Sequence, residues 1–265
     1  MIKKFYVRGD THGANTQTAR KVKSLGRQEG LMPEEIGLII LGDAGFNCGR
    51  PEEDSKWKKI VNKIGIQIFC VRGNHDVRPE KIERMVSLYN KDIQGWVYNE
   101  PDAYPNIFYL IDNEIYIING LRTLVVGGAY SVDKEYRLKN NMFWEPEEQL
   151  NENQRRAILK DNENKHFNLI LSHTCPISWQ PTDLFLSFVD QSTVDNTMEV
   201  FLEELKDTIS FDCWLFGHYH KDRLMRPNVM MLYQSIISLE DIVEICINKN
   251  LEYTMGWEKD PKYYI

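Results

Sequence analysis

Short apolar runs alternate with polar stretches in the first seventy residues, and this alternation limits the folds that the chain can adopt. The runs are FYV at 5–7, IGLIIL at 36–41 and IQIFCV at 66–71, and the polar stretches lie at about 14–29 and 53–64. Continuous apolar runs are typical of strands covered on both faces, whereas longer polar stretches between them favour helices. The start of the chain therefore predicts a β-α-β-α-β unit with parallel strands.

The rest of the chain predicts further strands and helices. IFYLI, EIYII and LRTLVVGG, separated by DN and NG, predict a three-stranded antiparallel meander with two tight turns. Further strands are predicted at NLILS (168–172), FDCWLF (211–216), NVMMLYQ (228–234) and EDIVEICI (240–247), and helices at 79–90, 147–162 and 195–207. We therefore predict an α/β fold, a layered sandwich of two mixed β-sheets flanked by helices. No repeat or linker interrupts the pattern, which favours a single domain over residues 1–265.

Charge and cysteine content narrow the class of protein. The net charge is −7, which argues against a nucleic-acid-binding surface built on bulk positive charge. Nucleic acid is therefore expected at most as a substrate. The five cysteines are odd in number and form no CxxC pair, which favours a reducing compartment. No apolar stretch is long enough for a membrane span or signal peptide, so we expect a cytoplasmic protein. Its oligomeric state is not evident from the sequence.

Polar blocks follow the predicted buried strands, at the edge where open α/β sheets usually carry ligand sites. Five of the six histidines lie in these blocks. The blocks are RGDTHG with Asp10 and His12, LGDAG with Asp43, VRGNHD with Asn74 and His75, LSHTCP with His173, and GHYH with His218 and His220. Taken singly, Asp10 fits a helix cap, Asp43 a turn and Asn74 a tight loop. Those separate explanations do not account for the clustering of the histidines.

The donor groups in these blocks suit a pair of metal ions. Two aspartates, four histidines and one asparagine carbonyl make seven ligands, which is too many for one zinc ion. Two ions that share a bridging carboxylate would use all seven and leave positions for water and substrate. Oxygen and nitrogen donors without a thiolate allow manganese, iron or zinc.

DTH, GDAG, GNHD, SHT and GHYH, in this order, resemble the five blocks of the calcineurin-like metallophosphoesterases, and they extend from residue 10 to residue 220. The resemblance implies hydrolysis of phosphate esters by a metal-bound hydroxide that attacks phosphorus. It also implies that His75 donates a proton to the leaving group. The implied ligands are Asp10, His12 and His220 for one ion, Asn74, His173 and His218 for the second, and Asp43 as the bridge.

The chain departs from the phosphoprotein phosphatase branch of this family. That branch has Asp and Arg where this chain has Phe46 and Asn47, and it has Glu where this chain has Asp76. The usual partner of the catalytic histidine and the usual phosphate-holding arginine are thus both absent from their positions. The departure favours a broader phosphomonoesterase or phosphodiesterase over a phosphoserine/threonine phosphatase.

Several residues near the blocks are candidates for other roles. Arg78 and Arg137 are candidate phosphate ligands, because arginine binds phosphate bidentately. The segment GGAYS at 127–131, which contains Tyr130, is the candidate substrate-facing loop. Cys175 lies two residues after His173 and is either a further ligand or a packed cysteine.

Two other functions fit the same motifs. A catalytically idle metal-binding scaffold on this fold would lack ligands or the histidine of GNHD, whereas this chain has all seven ligands and His75. A nuclease would need a basic groove or an aromatic stacking surface beside the metals, and the acidic composition does not favour one.

Overall fold

The β-α-β-α-β start forms as predicted. In the computed structural model, which describes residues 1–247, its elements are β1 (Lys4–Arg8), α1 (Asn15–Gln28), β2 (Ile36–Ile40), α2 (Pro51–Asn62) and β3 (Gln67–Cys70). Strand β1 pairs in parallel with β2, and β2 pairs in parallel with β3. Right-handed crossovers through helices are the usual way to connect such strands.

Ten further strands and four further helices follow in the described part of the chain. The strands are β4 (Val86–Asn90), β5 (Gly95–Asn99), β6 (Ile107–Leu110), β7 (Ile115–Ile118), β8 (Leu121–Val126), β9 (His166–Ser172), β10 (Ser210–Phe216), β11 (Arg223–Arg226), β12 (Val229–Met231) and β13 (Ile237–Ser238). The helices are α3 (Lys134–Lys139), α4 (Glu152–Asn162), α5 (Thr197–Thr208) and α6 (Leu239–Ile242), which continues into a π-helical turn at Val243–Ile247.

The strands form two mixed sheets. The first has the order β13-β1-β2-β3-β6-β5-β4 and the second the order β11-β12-β10-β9-β8-β7. The central strands of each sheet are parallel, and antiparallel strands lie at the edges. Parallel centres matter for function because the carboxyl ends of neighbouring strands then meet at one edge.

Side-chain burial shows four layers. Val7 and Phe69 of the first sheet and Leu171 and Leu215 of the second belong to one buried cluster between the sheets. On the outer face of the first sheet, residues of α1 and α2 pack against the alternate side chains of β1 to β3. Residues of α4 and α5 pack in the same way on the second sheet. The predicted sandwich of two mixed sheets flanked by helices is thus confirmed.

The helix predicted at 79–90 is wrong. Pro79–Lys81 form a 3-10 turn, and Val86–Asn90 form β4, which pairs with β5. Proline at the first position suits a 3-10 turn as well as an α-helix. The residues that follow include Val86, Leu88 and Tyr89, and β-branched and aromatic side chains favour a strand on a half-exposed edge.

The three-stranded meander is wrong in one part. NG forms the tight turn between β7 and β8, with positive φ at Asn119 and Gly120, as a two-residue hairpin requires. IFYLI, however, forms β6 and pairs with β3 and β5 in the first sheet. The chain crosses from the first sheet to the second at DN. This turn therefore connects β6 to β7 in different sheets and does not form a hairpin.

The last predicted strand, EDIVEICI, is a helix. Ser238 caps it by accepting a hydrogen bond from the Asp241 backbone N–H through its side-chain oxygen. Leu239, Ile242 and Cys246 are buried and recur at helical spacing. The period of three to four residues therefore describes this segment better than the alternation of two.

The structure also bears on the cysteines and on membrane-spanning helices. The five cysteines are all free thiols, and four of them are buried. Within residues 1–247, no helix combines the length and the apolar character that crossing a bilayer requires.

Candidate metal centre

The candidate ligands all lie just beyond the carboxyl ends of parallel strands, and both sheets contribute. Asp10 and His12 follow β1, Asp43 follows β2, Asn74 and His75 follow β3, His173 follows β9, and His218 and His220 follow β10. The two sheets pack face to face, so these ends meet at one edge of the sandwich.

Asp10 joins the histidines of the first and last blocks. Its Oδ2 atom lies 3.3 Å from His220 Nε2 and 3.7 Å from His12 Nε2. The other oxygen, Oδ1, accepts a hydrogen bond of 2.8 Å from the backbone N–H of His218. Oδ2 is buried and has no hydrogen-bond partner. A buried carboxylate oxygen without a partner beside two imidazole nitrogens fits a cation, because an uncompensated buried charge is costly.

Asp43 is oriented in the same way. Its Oδ1 accepts a hydrogen bond of 2.9 Å from the backbone N–H of His75. Its Oδ2 lies 4.0 Å from His12 Nε2 and 3.7 Å from His173 Nε2. One carboxylate oxygen thus faces a histidine of each predicted ligand set.

His173 and Asn74 face each other across the second part of the centre. His173 is fully buried, and its Nδ1–H donates to the Leu41 carbonyl at 2.8 Å. With Nδ1 bound to this carbonyl, Nε2 is the ring nitrogen that faces the centre, 2.8 Å from Asn74 Oδ1. The donor atoms of His173, Asp10 and Asp43 lie within 4.8 Å of one another, as do those of Asp10, His12 and His220. The ring of His218 lies 5.0 Å from that of His173, centroid to centroid.

A chain of buried hydrogen bonds fixes the Asn74 amide. Asn74 Nδ2 donates to Ser131 Oγ at 2.8 Å, and the Ser131 hydroxyl donates to Glu148 Oε2. The Ser131 backbone N–H and the Trp144 indole N–H also donate to the Glu148 carboxylate, at 3.1 and 2.8 Å. With the amide nitrogen held on this side, the Asn74 oxygen must point to the metal centre.

Four of the candidate ligands have left-handed backbone conformations. The φ angles are +43° at His12, +47° at Asp43, +68° at His218 and +53° at His220. Each such residue costs about 1–2 kcal/mol when it carries a Cβ atom. Strain of this kind concentrates at functional sites, where the surrounding structure holds it in place.

Two glycines allow the blocks to approach each other closely. A Cβ atom on Gly73 would lie 2.0 Å from Asp43 Oδ1, and one on Gly217 would lie 2.3 Å from Asp10 Oδ1. Any side chain at either position would displace the aspartate. The glycines that precede Asn74 and His218 in the motifs are therefore required by the aspartates of other blocks.

Burial and neighbouring charge perturb the ionisable groups. Burial raises the pKa of Asp43, and the nearby carboxyls of Asp76 and Asp10 raise it further. Burial lowers the pKa of His218, and the neighbouring His173 lowers it further. Burial and the Arg137 guanidinium lower the pKa of His75 to about 4. The neutral imidazoles are ready to bind a cation, whereas a cation that binds Asp43 must displace the proton that the raised pKa favours.

The donor set fits transition-metal ions. Imidazole nitrogens, carboxylate oxygens and one amide oxygen are the donors that manganese, iron and zinc accept in proteins. Cys175 is fully buried, and its Sγ–H lies 3.7 Å from the Tyr219 hydroxyl oxygen. It packs in the apolar cluster beneath α5, which is the second of the two roles that its position suggested.

The two candidate arginines differ in position. Arg137 Nη2 lies 3.4 Å from His75 Nε2, and its Nε–H donates to Asp133 Oδ2 at 2.7 Å. Arg78 is buried and donates to the backbone carbonyls of Glu147 and Gln149. Of the pair, Arg137 is the one that the described contacts bring to the site, whereas Arg78 holds the segment before α4.

Sequence reasoning missed the residues that support Asn74. Ser131 lies in GGAYS, which was singled out as a substrate-facing loop, but nothing in its sequence indicates a bond to Asn74. Glu148 lies within the predicted helix 147–162, whereas α4 begins at Glu152. A capping box between Asn151 and Gln154 marks the true start, and this signal is present in the sequence.

Comparison with known proteins gives one informative match. The profile of the calcineurin-like phosphoesterase family matches residues 3–222. The search of curated proteins gave no match.

Two solved structures are similar at low identity. TT1561 of Thermus thermophilus is 12% identical, with a TM-score of 0.45, over 91% of this chain and 96% of that one. The protein of unknown function AQ665 from Aquifex aeolicus is 16% identical, with a TM-score of 0.30, over 64% of this chain and 80% of that one. TM-scores below 0.5 establish neither a common fold nor a common function. The family match, by contrast, spans most of the sequence and includes every residue of the candidate metal centre, so the protein belongs to the calcineurin-like phosphoesterase family.

Proposed function

We propose that the protein hydrolyses phosphomonoesters or phosphodiesters with two metal ions, which would be manganese, iron or zinc, at the centre described above. Members of this family typically bind two divalent metals and act on phosphate esters. The observation that carries the proposal is the position of Asp43, whose Oδ2 lies within 4.0 Å of the His12 and His173 ring nitrogens. A carboxylate between two ligand sets is the arrangement that a two-metal site needs.

The proposed ligand assignment follows these contacts. Asp10, His12 and His220 would hold one ion, and Asn74, His173 and His218 the second, with Asp43 shared. When bound, the ions would lower the pKa of a water molecule and offset the negative charge of the phosphate. Side chains of the protein would position the phosphate and the leaving group.

His75 is the proposed proton donor to the leaving group. Its Nε2 lies 3.9 Å from Asp43 Oδ2 and 3.4 Å from Arg137 Nη2, at the border of the ligand cluster. Its lowered pKa keeps the ring neutral in the free site. The role therefore requires that the negative charge of a bound ester raise this pKa towards the working pH.

Arg137 is the proposed phosphate ligand. Asp133 and the Phe143 carbonyl hold its guanidinium beside His75. Residues at the usual positions of the phosphoprotein phosphatases have other tasks: Phe46 packs in the outer core, and Asn47 accepts a hydrogen bond from Lys58. Arg137 would thus take over, from a different segment, a task that Asn47 cannot perform.

Hydrolysis by the manganese-loaded protein tests the proposal. We expect turnover of nitrophenyl phosphate or bis-nitrophenyl phosphate that a chelator abolishes and manganese restores. The Asp43→Asn variant should bind fewer ions per chain and lose most of the activity. Two tightly bound ions in this variant, or turnover that survives complete chelation, would refute the assignment. The ratio of the two rates decides between monoester and diester.

A further inference from the structure

A cavity of about 380 Å³ adjoins the metal centre. Asp43, Asn74, His75, His218 and His220 line one side of it. Tyr219, residues of the segment 130–133, the turns between residues 180 and 196, and Glu199 of α5 line the rest. Its volume is within the range of pockets that enclose a small ligand. This space is therefore large enough for the part of a substrate that extends beyond the metals.

Much of the far wall is apolar. It is lined by Val132, Leu184, Phe185, Leu186, Val189 and Val194. Two of these side chains are strongly exposed, Leu186 at 48% and Val132 at 46%. Covering such surface is favourable in proportion to the apolar area removed from water. Gln180, Gln191 and Asn196 add uncharged polar groups to the same wall.

The charged side chains that line the cavity are all acidic. They are Asp43 at the metal centre, Asp133, Asp195 and Glu199. Within residues 1–247, no lysine or arginine lines it. Arg137 neutralises Asp133, but Glu199 is buried at the cavity wall, and its Oε2 has no hydrogen-bond partner. Burial raises the pKa of Glu199 to about 7, so this carboxyl is charged in only part of the molecules near neutral pH. Asp195 is exposed at the rim and has a lowered pKa, so a second phosphate or a carboxylate there would meet like charge.

We infer that this cavity receives the leaving group of the ester, and that the substrates are phosphate esters of apolar, uncharged alcohols. The inference rests on the proposed function and narrows it. The phosphate lies at the metals beside Arg137, and the alcohol extends along Leu186 and Val194. Polyphosphates, carboxylated esters and nucleic acid chains place negative charge beside Asp195 and along the apolar wall, and both contacts disfavour them.

A matched series of alkyl phosphates tests the inference. Ethyl, butyl and hexyl phosphate share one reacting centre, and kcat/KM should rise about fourfold per added methylene group. The phosphate ester of 6-hydroxyhexanoic acid differs from hexyl phosphate only at its end, and its kcat/KM should be at least about tenfold lower. Equal values along the series, or a preference for the carboxylated ester, would overturn the inference.

Two lysine substitutions in one loop provide the control. Leu186→Lys introduces a cation at the cavity wall, so hexyl phosphate should lose about tenfold in kcat/KM while the carboxylated ester gains. Phe188→Lys adds the same charge at a side chain that is 82% exposed and does not line the cavity. This second substitution should leave kcat/KM unchanged for hexyl phosphate and for the carboxylated ester. Identical effects of the two substitutions would show that net charge, and not the cavity, sets the preference.

A binding measurement separates this inference from the proposed function. The neutral fluorophore N-phenyl-1-naphthylamine should bind the full-length protein more tightly than its sulfonated analogue, and Leu186→Lys should reverse the order. Such binding without hydrolysis of any ester would refute the proposed function and uphold the cavity's preference. Hydrolysis with no dependence on chain length, together with no binding of the neutral fluorophore, would uphold the proposed function and refute the cavity's preference for apolar leaving groups.

Discussion

Asp10 and Asp43 each divide their two oxygens between two tasks. One oxygen accepts a backbone N–H from a different motif block, and the other faces imidazole nitrogens. The first contact fixes the carboxylate plane before any ion binds. The second leaves a buried oxygen that an ion can use. Orientation by a second group is how metal sites gain affinity without adding ligands.

In the proposed mechanism, His75 and Arg137 act on different parts of the ester, so the effects of substituting them should differ. His75→Ala removes the proton donor, and alkyl phosphates should lose about 100-fold or more in kcat, whereas nitrophenyl phosphate loses far less. Arg137→Ala removes a charged contact with phosphate, so both esters should lose about 10- to 100-fold in kcat/KM. Steady-state kinetics with the two esters measures this. Equal losses on both esters for His75→Ala would exclude the proton-donor role.

At the scale of elements, the strand ends bring the ligands together and the segment after β8 supports them. Residues 127–133 follow β8 and carry Ser131 to Asn74, and the segment before α4 carries Glu148 to Ser131. These two segments are far apart from β3 in sequence. They hold the amide of Asn74, a proposed ligand, in a fixed direction.

Removing the Ser131 hydroxyl should weaken one metal site selectively. In Ser131→Ala, the Asn74 N–H group loses Ser131 Oγ as its hydrogen-bond acceptor, so the amide can rotate. The affinity for the ion next to Asn74 and His173 should therefore fall about 10- to 100-fold. Titration calorimetry with manganese should show one weakened and one unchanged site. Ser87→Ala, an exposed position on β4, is the matched control. Two unchanged sites in Ser131→Ala would mean that Glu148 and Ser131 serve stability alone.

The elements that sequence reasoning placed correctly are those with local signals. Apolar runs marked β1, β2 and β3, and the polar blocks marked where each strand ends. The fold class and the family are confirmed, whereas the individual ligand roles stay predictions. The misplacement of β6 has a non-local cause, since its partners β3 and β5 lie in a different sheet from β7. The helix α6 is a different kind of failure, because Ser238 and the spacing of Leu239 and Ile242 were available signals.

The candidate metal centre lies between the two sheets of the molecule. The first sheet supplies Asp10, His12, Asp43 and Asn74, and the second supplies His173, His218 and His220. An ion bound between them is a contact that exists only in the folded protein. Metal binding should therefore stabilise the sandwich as a unit.

Thermal unfolding measures this coupling. Manganese at about 100 times its Kd should stabilise the fold by about 2.7 kcal/mol for each independent ion. For a domain of this size, that corresponds to a rise in Tm of about 5–10 °C per ion relative to chelated protein. Asp43→Asn should show much less than half of the total rise, because Asp43 faces both ligand sets. A Tm that does not respond to manganese would show that the two sheets hold together independently of the site.

The left-handed backbone at His12, Asp43, His218 and His220 also affects how the chain can change over generations. Glycine at any of these positions would relieve the local conformation, and each such exchange would remove a proposed metal ligand. Substitutions that stabilise the fold at these positions would therefore also destroy the site. A descendant protein without selection for activity would lose these residues early and become more stable. The reverse path would be blocked, since each restored ligand lowers stability before the set is complete.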